Sequence, residues 1–204
     1  MQFAELTEAQ LTAVYQTRLT ADFPPAERKP LARILAAREK GDYRCTGLFS
    51  DGQLLAYGFF MILRADTGTD LLLDYFAVDT ALRGQGIGSA FLRMLPEQFP
   101  DAGIVLIESE TPETAESPAD REKRERRIRF YQRAGCIDCG AEATVFGVRY
   151  RIFELPLHRT VTAEQLRAIY AAMYRKMLPP ALFASQIRLE SQQATQGADI
   201  SRCS

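Results

Sequence analysis

Arg83-Gly84-Gln85-Gly86-Ile87-Gly88 sets three glycines at alternate positions. The stretch lies shortly after the apolar run Leu71-Leu72-Leu73-Asp74-Tyr75-Phe76-Ala77-Val78 and opens a segment with Ile87, Phe91, Met94 and Leu95 at helical spacing. Glycine costs roughly 1 kcal/mol per helix-interior position relative to alanine, so three of them beside a helix start need a reason beyond turning. Amides without flanking β-carbons can approach a bulky anion closely, and a helix amino terminus adds uncommitted N–H groups and a partial positive charge. A pyrophosphate matches such a cradle. A P-loop would need Gly-Lys-Ser/Thr, which is absent. A Rossmann turn would use Gly84, Gly86 and Ser89 with Glu108 as the ribose acid, but it follows its strand directly and opens a parallel sheet. Here the polar loop 79–82 intervenes and an antiparallel hairpin precedes.

That hairpin is read from β-rich runs at 43–50 and 53–64 joined by Asp51-Gly52, which tolerates positive φ. Upstream, residues 3–6 suit a short strand. Thr7 to Gln10 then fits a capping box for a helix whose stripe is Leu11, Val14, Tyr15 and Leu19. Phe23-Pro24-Pro25 breaks that helix, and a second with Leu31, Ile34 and Leu35 ends near Gly41. Run 71–78 is nearly all apolar, as expected of a strand covered on both faces.

Downstream come a strand at 104–107, a helix capped by Ser117-Pro118-Ala119-Asp120 and stopped by Gly135, strands at 136–143 and 145–155, and a helix over 162–177 carrying Leu166, Ile169, Met173 and Met177. The expectation is a mixed α/β (α+β) fold: a mostly antiparallel central sheet of about six or seven strands flanked by helices, with an extra C-terminal helix. Residues 1–158 form the main domain, 159–190 a helical extension packed on it, and 191–204 a polar, flexible tail.

A net charge of −1 from 25 basic and 26 acidic residues offers no global field for nucleic acid or anionic lipid. No apolar run nears the roughly 20 residues of a membrane span, and the amino terminus lacks a basic-then-apolar leader, so a cytoplasmic location is expected. Four cysteines are too few for a disulfide framework. Cys136 and Cys139 make a CxxC, but the only histidine, His158, has no spacing partner, so no metal is expected.

The glycine stretch resembles the (Gln/Arg)-x-x-Gly-x-(Gly/Ala) signature of the GNAT superfamily of acetyltransferases. Further likeness lies in Phe76-Ala77-Val78-Asp79, in the strand ending at Glu108, and in Arg129-Phe130-Tyr131-Gln132-Arg133-Ala134-Gly135-Cys136, similar to the family's Phe-Tyr-x-x-x-Gly-Phe element. The resemblance runs from Phe3 to about Leu155. It implies acetyl-CoA as co-substrate, its pyrophosphate on amides of Arg83, Gly84, Gln85, Gly86, Ile87, Gly88 and Ser89. Its pantetheine arm would pair with the backbone of Phe76, Ala77 and Val78, where a main-chain N–H also serves the oxyanion. Glu108 takes the position of a general base and Tyr131 that of the acid that protonates or hydrogen-bonds the leaving sulfur. Two departures stand out: Arg124 to Arg127 occupy a turn where relatives often carry Asn, and the stretch 109–118 is longer than in compact relatives.

Each residue also has a plainer reading. Glu108 could simply bound a buried strand; Asp70, Asp74 and Glu110 are then the fallback bases. Asp74 interrupts an apolar strand and reads more readily as a hydrogen-bonded anchor. Tyr131 has a core-packing alternative. Seven basic and three acidic residues between Asp120 and Arg133 read as a salt-bridged helix face or as a contact for the CoA 3′-phosphate. Glu108, Glu110, Glu113 and Glu116 either favour a cationic acceptor or solubilise a loop. The acceptor, entering near 23–28, is a small-molecule or protein amine, and a homodimer is compatible with the C-terminal helix. The competing function is an acyl-CoA-binding sensor of the same fold without turnover.

Overall fold

A computed structural model describes residues 1–66 and 68–191. By internal contacts the chain divides into two units, Met1–Ile62 with Leu73–Gln98, and Leu63–Leu72 with the chain from Phe99 onward. The fold is mixed α/β, with an added C-terminal helix. The flexible-tail expectation falls, from 192 on, outside the described residues.

In sheet order come β1 (Gln2–Glu5), β2 (Tyr43–Ser50), β3 (Gln53–Ala65) and β4 (Gly68–Val78), all in the first unit except the 63–65 end of β3 and the 68–72 start of β4, which belong to the second. β1 runs antiparallel to β2 with Phe3 opposite Leu48, and β2 to β3 with Ser50 opposite Gln53. The turn residues Asp51 and Gly52 have φ of 50° and 78°, the two positive values that match strand twist in a two-residue hairpin. Helix α1 (Glu8–Val14) begins at the expected box, with Gln10 N–H on Thr7 Oγ1 at 3.2 Å and Thr7 N–H on Gln10 Oε1 at 2.8 Å. It continues through a π-helical turn at Tyr15–Leu19. Helix α2 (Leu31–Glu39) precedes β2, and α3 (Ile87–Gln98) follows β4.

Phe91 anchors α3. It is fully buried, with ring centroids 4.9 Å from Phe3 and 5.0 Å from Phe76, and it stacks on Phe60. The ring fits because position 58 is glycine: a β-carbon there would meet Phe91 Cζ at 2.5 Å. One missing methyl group thus leaves room for the ring that packs α3 against Phe3, Phe60 and Phe76.

The second unit orders its strands β5 (Ala102–Glu110), β7 (Val148–Pro156), β6 (Ile137–Val145), β8 (Ile187–Ser191), all antiparallel. Helix α4 (Pro118–Arg133) starts at Ser117, whose Oγ accepts from Asp120 N–H at 3.1 Å. It stops at Gly135, φ 93°. Helix α5 (Ala163–Met177) opens on a second capping box, Thr162 with Gln165. A short helix, α6 (Pro180–Gln186), then leads to β8, a strand the helical extension 159–190 had not been expected to contain. The sheet count therefore exceeds the six or seven expected.

The link into α5 is heavily tied. Gly103 O accepts from the amides of Leu157, His158 and Arg159 at 3.0, 3.0 and 3.3 Å. The Arg159 side chain lies across Gly103, where a β-carbon would sit 2.2 Å from its Nε. From there Arg159 Nη2 reaches both oxygens of buried Asp70, at 2.6 and 2.7 Å. Among the described residues, no helix is long and apolar enough to cross a membrane.

Candidate functional site

The glycine-rich loop begins where β4 ends. Asp79 caps a single 3-10 turn, Thr80–Leu82, through its Oδ1 to Ala81 N–H at 2.9 Å. Gly84 and Gly86 then both take φ +80°, a region that side-chain-bearing residues rarely adopt. A β-carbon on either would meet nothing within 4 Å, so both point into open space. The first helical bond runs from Ala90 N–H to Gly86 O at 2.9 Å, which leaves Ile87, Gly88 and Ser89 heading α3 with no intrahelical acceptor. The helix itself therefore leaves the N–H groups of residues 87–89 unused, next to two glycines with open space at their β-carbon positions.

Side chains brace the loop. Arg83 donates through Nε to Val78 O at 3.2 Å and through Nη2 to Asp22 Oδ1 at 3.1 Å, and Gln85 Nε2 donates to Ala81 O at 3.2 Å. The guanidinium thus uses two of its donors on protein partners and stays 54% exposed. Phe76 turns its ring onto Phe91, and Ala77 is buried.

In the same unit Asp74 is a hub. Lys29 Nζ sits 2.5 Å from Oδ1, and the Tyr43 hydroxyl donates to Oδ2. The next residue, Tyr75, accepts from Lys29 N–H at 2.7 Å and donates to Glu27 O at 2.8 Å. Burial pushes the phenols of Tyr43 and Tyr75 upward, and the charge of Asp74 adds to this, so both remain donors. Asp74 through the Lys29 side chain, and Tyr75 through the backbone of residues 27 and 29, together fasten the segment around residues 27–29 to β4.

The second unit carries the other candidates. Glu108, half-buried on β5, accepts at Oε1 from the hydroxyls of Tyr170 and Tyr174 of α5, the latter at 2.6 Å. Tyr131 on α4 is 7% exposed, with its ring 5.1 Å from Phe130 and 6.2 Å from Phe153. Burial pushes its phenol up to about 12. Asp70 is engaged on both oxygens by Arg159, and burial raises its carboxyl despite that charge. Glu110 pairs with Arg124 at 3.1 Å and Arg127 at 3.7 Å, and Glu113 with Arg151 at 3.7 Å. Much of the acidic loop and the basic helix is therefore used internally. Cys136 is buried, with its thiol pushed up to about 12.

Sequence reasoning missed Tyr170 and Tyr174. The stripe assigned to this helix used Ile169, which is only half-buried, whereas the buried face is Leu166, Tyr170, Ala171, Met173 and Tyr174. Two tyrosines four residues apart on a buried face were the available signal. An open hollow of about 490 Å³ near the β2–β3 turn, lined by Met1, Gln10 and Phe49 among others, includes none of these groups.

The profile of the acetyltransferase (GNAT) domain family matches residues 41–135. No curated protein matches the chain. Among solved structures the chain is similar to a protein assigned to the GNAT family from Bacteroides thetaiotaomicron, at 22% identity and TM-score 0.62, over 83% of this chain and 93% of that one. It is similar to the ribosomal-protein-S18-alanine N-acetyltransferase of Escherichia coli at 19% identity and TM-score 0.54, over 76% and 93%. A third likeness, at 18% identity and TM-score 0.53 over 77% and 94%, is to a Salmonella typhimurium protein solved with its cofactor acetyl-CoA.

Proposed function

Because the chain belongs to the GNAT superfamily of acetyltransferases, we propose that it moves the acetyl group of acetyl-CoA to a primary amine in the cytoplasm by direct attack, with Glu108 as general base and Tyr131 serving the leaving sulfur. Gly84 and Gly86 carry the assignment: both hold φ +80° at the head of α3, with open space where β-carbons would stand. A diphosphate suits this surface, since the N–H groups of residues 83–89 and the positive end of α3 would hold it without spending a charged side chain. The co-substrate brings an activated acyl thioester.

The chain's own residues supply the rest. An alkylammonium with a pKa near 10.4 has no lone pair to offer at neutral pH. Glu108 accepts one proton from it, and the freed nitrogen forms the N–C bond to the acetyl carbon. A main-chain N–H from residues 76–78 donates to the carbonyl oxygen as it gains charge. The C–S bond then breaks and its electron pair stays on sulfur.

Tyr131 meets that sulfur as a hydrogen-bond donor. With its phenol at about 12, it is a weaker acid than an ordinary thiol near 8.5, so full transfer of its proton would run uphill. The adduct nitrogen still carries a second proton, which must leave for the neutral amide to form, and that proton, passed directly or through solvent, balances the one the thiolate takes up.

The direct test is thiol release from acetyl-CoA across a panel of small amines and peptides with free amino termini. Turnover with at least one acceptor, and loss of the acidic limb of the kcat/KM profile in Glu108→Gln, are expected. CoA binding without turnover for any acceptor would favour the non-catalytic sensor, and an unchanged profile in Glu108→Gln would remove the base assignment.

A further inference from the structure

Helix α5 lies wholly outside the family-matched segment 41–135, yet it reaches Glu108 with two side chains. Tyr170 and Tyr174 are one turn apart and therefore share a face; their ring centroids are 5.0 Å apart. Both hydroxyls fall on the same carboxylate oxygen, Oε1. Tyr170 is fully buried and Tyr174 is 7% exposed. Burial, reinforced by the charge of Glu108, pushes the Tyr170 phenol well above its ordinary range, so it keeps its proton. The phenols give and the carboxylate takes, an arrangement that favours the ionised acid.

Docking of α5 does not rest on this pair alone. The entry to the helix is already held by three amides on Gly103 O, by Arg159 on Asp70, and by Val161 N–H on Glu154 at 3.1 Å. The helix also buries Leu166, Ala171 and Met173. Two buried phenols converging on one carboxylate oxygen are more than an anchor needs, and they are suited to holding a charge still.

We infer that Tyr170 and Tyr174 are positioning residues for the reaction: they keep Glu108 ionised and fix its rotamer, so that α5 completes the acceptor half of the active site. The inference rests on Glu108 being the base. It makes the protonated amine the species recognised first, because a carboxylate held in its charged form attracts an ammonium before it deprotonates one. By strand register, the titratable neighbours of Glu108 among the described residues include Glu110 along β5, paired with Arg124 and Arg127, and Tyr150 and Glu154, which flank its β7 register partner Ile152. Phenylalanine at 170 and 174 leaves all of these in place.

The test is a carbon-13 NMR titration of the glutamate side chains in the full chain, with the Glu108 signal identified by its loss in Glu108→Gln. Tyr170→Phe and Tyr174→Phe should each raise the Glu108 midpoint by about one unit, and the double variant by more. Thermal unfolding should stay cooperative, and CoA affinity measured by calorimetry should stay within about twofold, since neither ring belongs to the glycine-rich loop. With an accepted amine, the acidic limb of kcat/KM should move with the NMR midpoint. A midpoint that does not move in either folded single variant overturns the inference and leaves the phenols as a docking contact. If Glu108→Gln abolishes the acidic limb while the phenylalanine variants leave it in place, this inference alone fails. If Glu108→Gln leaves the limb untouched, the base assignment fails and takes the inference with it.

Discussion

Replacing Gly86 with alanine separates a structural glycine from a binding one, provided Gly52 is replaced in parallel. The two positions are matched: φ is +80° at Gly86 and +78° at Gly52, and a β-carbon on either would meet no atom within 4 Å. In both variants the cost to folding is then the left-handed backbone alone, about 1–2 kcal/mol. For a chain of this size that is a fall in Tm of roughly 2–8 °C. They differ in what lies in front of the new methyl group. At position 52 it is solvent at a hairpin tip; at position 86 it is the space the diphosphate should occupy. Displacing even one charge-assisted hydrogen bond, worth about 1.5–3 kcal/mol, weakens Kd roughly 10- to 150-fold. Scanning calorimetry and CoA titration calorimetry on both variants read the two effects separately. Similar Tm losses with a large Kd effect only at Gly86 are expected. An unchanged Kd in Gly86→Ala would refute the cradle, whatever the Tm.

Gly58→Ala should destabilise the first unit by about 1–3 kcal/mol, because the new methyl group meets the immobile Phe91 ring; denaturant melts should show partial rescue when Phe91→Leu is added. Glu154 is fully buried and desolvation raises its carboxyl above the ordinary 4.5. The native state therefore binds its proton more tightly than the unfolded chain does, and stability is highest below about 4.5 and falls as pH rises through the folded value. Glu154→Gln should flatten that slope in melts between pH 4 and 8; a slope that persists would assign it elsewhere. Tyr131→Phe should lower kcat roughly 10- to 150-fold at unchanged CoA affinity, the worth of one hydrogen bond to a thiolate. With its phenol at about 12, Tyr131 should add no alkaline limb to the wild-type profile below about pH 11.

Local chemistry decided what could be read from residues alone. Thr7 with Gln10, Ser117 with Pro118, Asp51-Gly52 and Gly135 each satisfy backbone groups within a few residues, and all fall where expected. The three-glycine stretch was legible for the same reason, since φ and amide exposure are local properties. Tertiary pairing was not. Strand β8 is a five-residue run whose identity depends on β6 being available, with Ile187 opposite Val145. Asp74 drew attention as an odd residue in an apolar strand, but its partners Lys29 and Tyr43 lie 45 and 31 residues away. Tyr170 and Tyr174 looked like ordinary core tyrosines because nothing near them in sequence names the carboxylate 62 and 66 residues earlier.

The crossing of Arg159 over Gly103 has an evolutionary corollary. Position 103 has room for no side chain while an arginine occupies 159, and the guanidinium has its carboxylate only while an acid occupies 70. In a lineage of related sequences these three sites should drift as one unit, with any gain of a β-carbon at 103 accompanied by a shorter residue at 159 and a neutral one at 70. Chimeras that join the amino-terminal part of one homologue to the tail of another should then succeed or fail according to whether that triplet stays together.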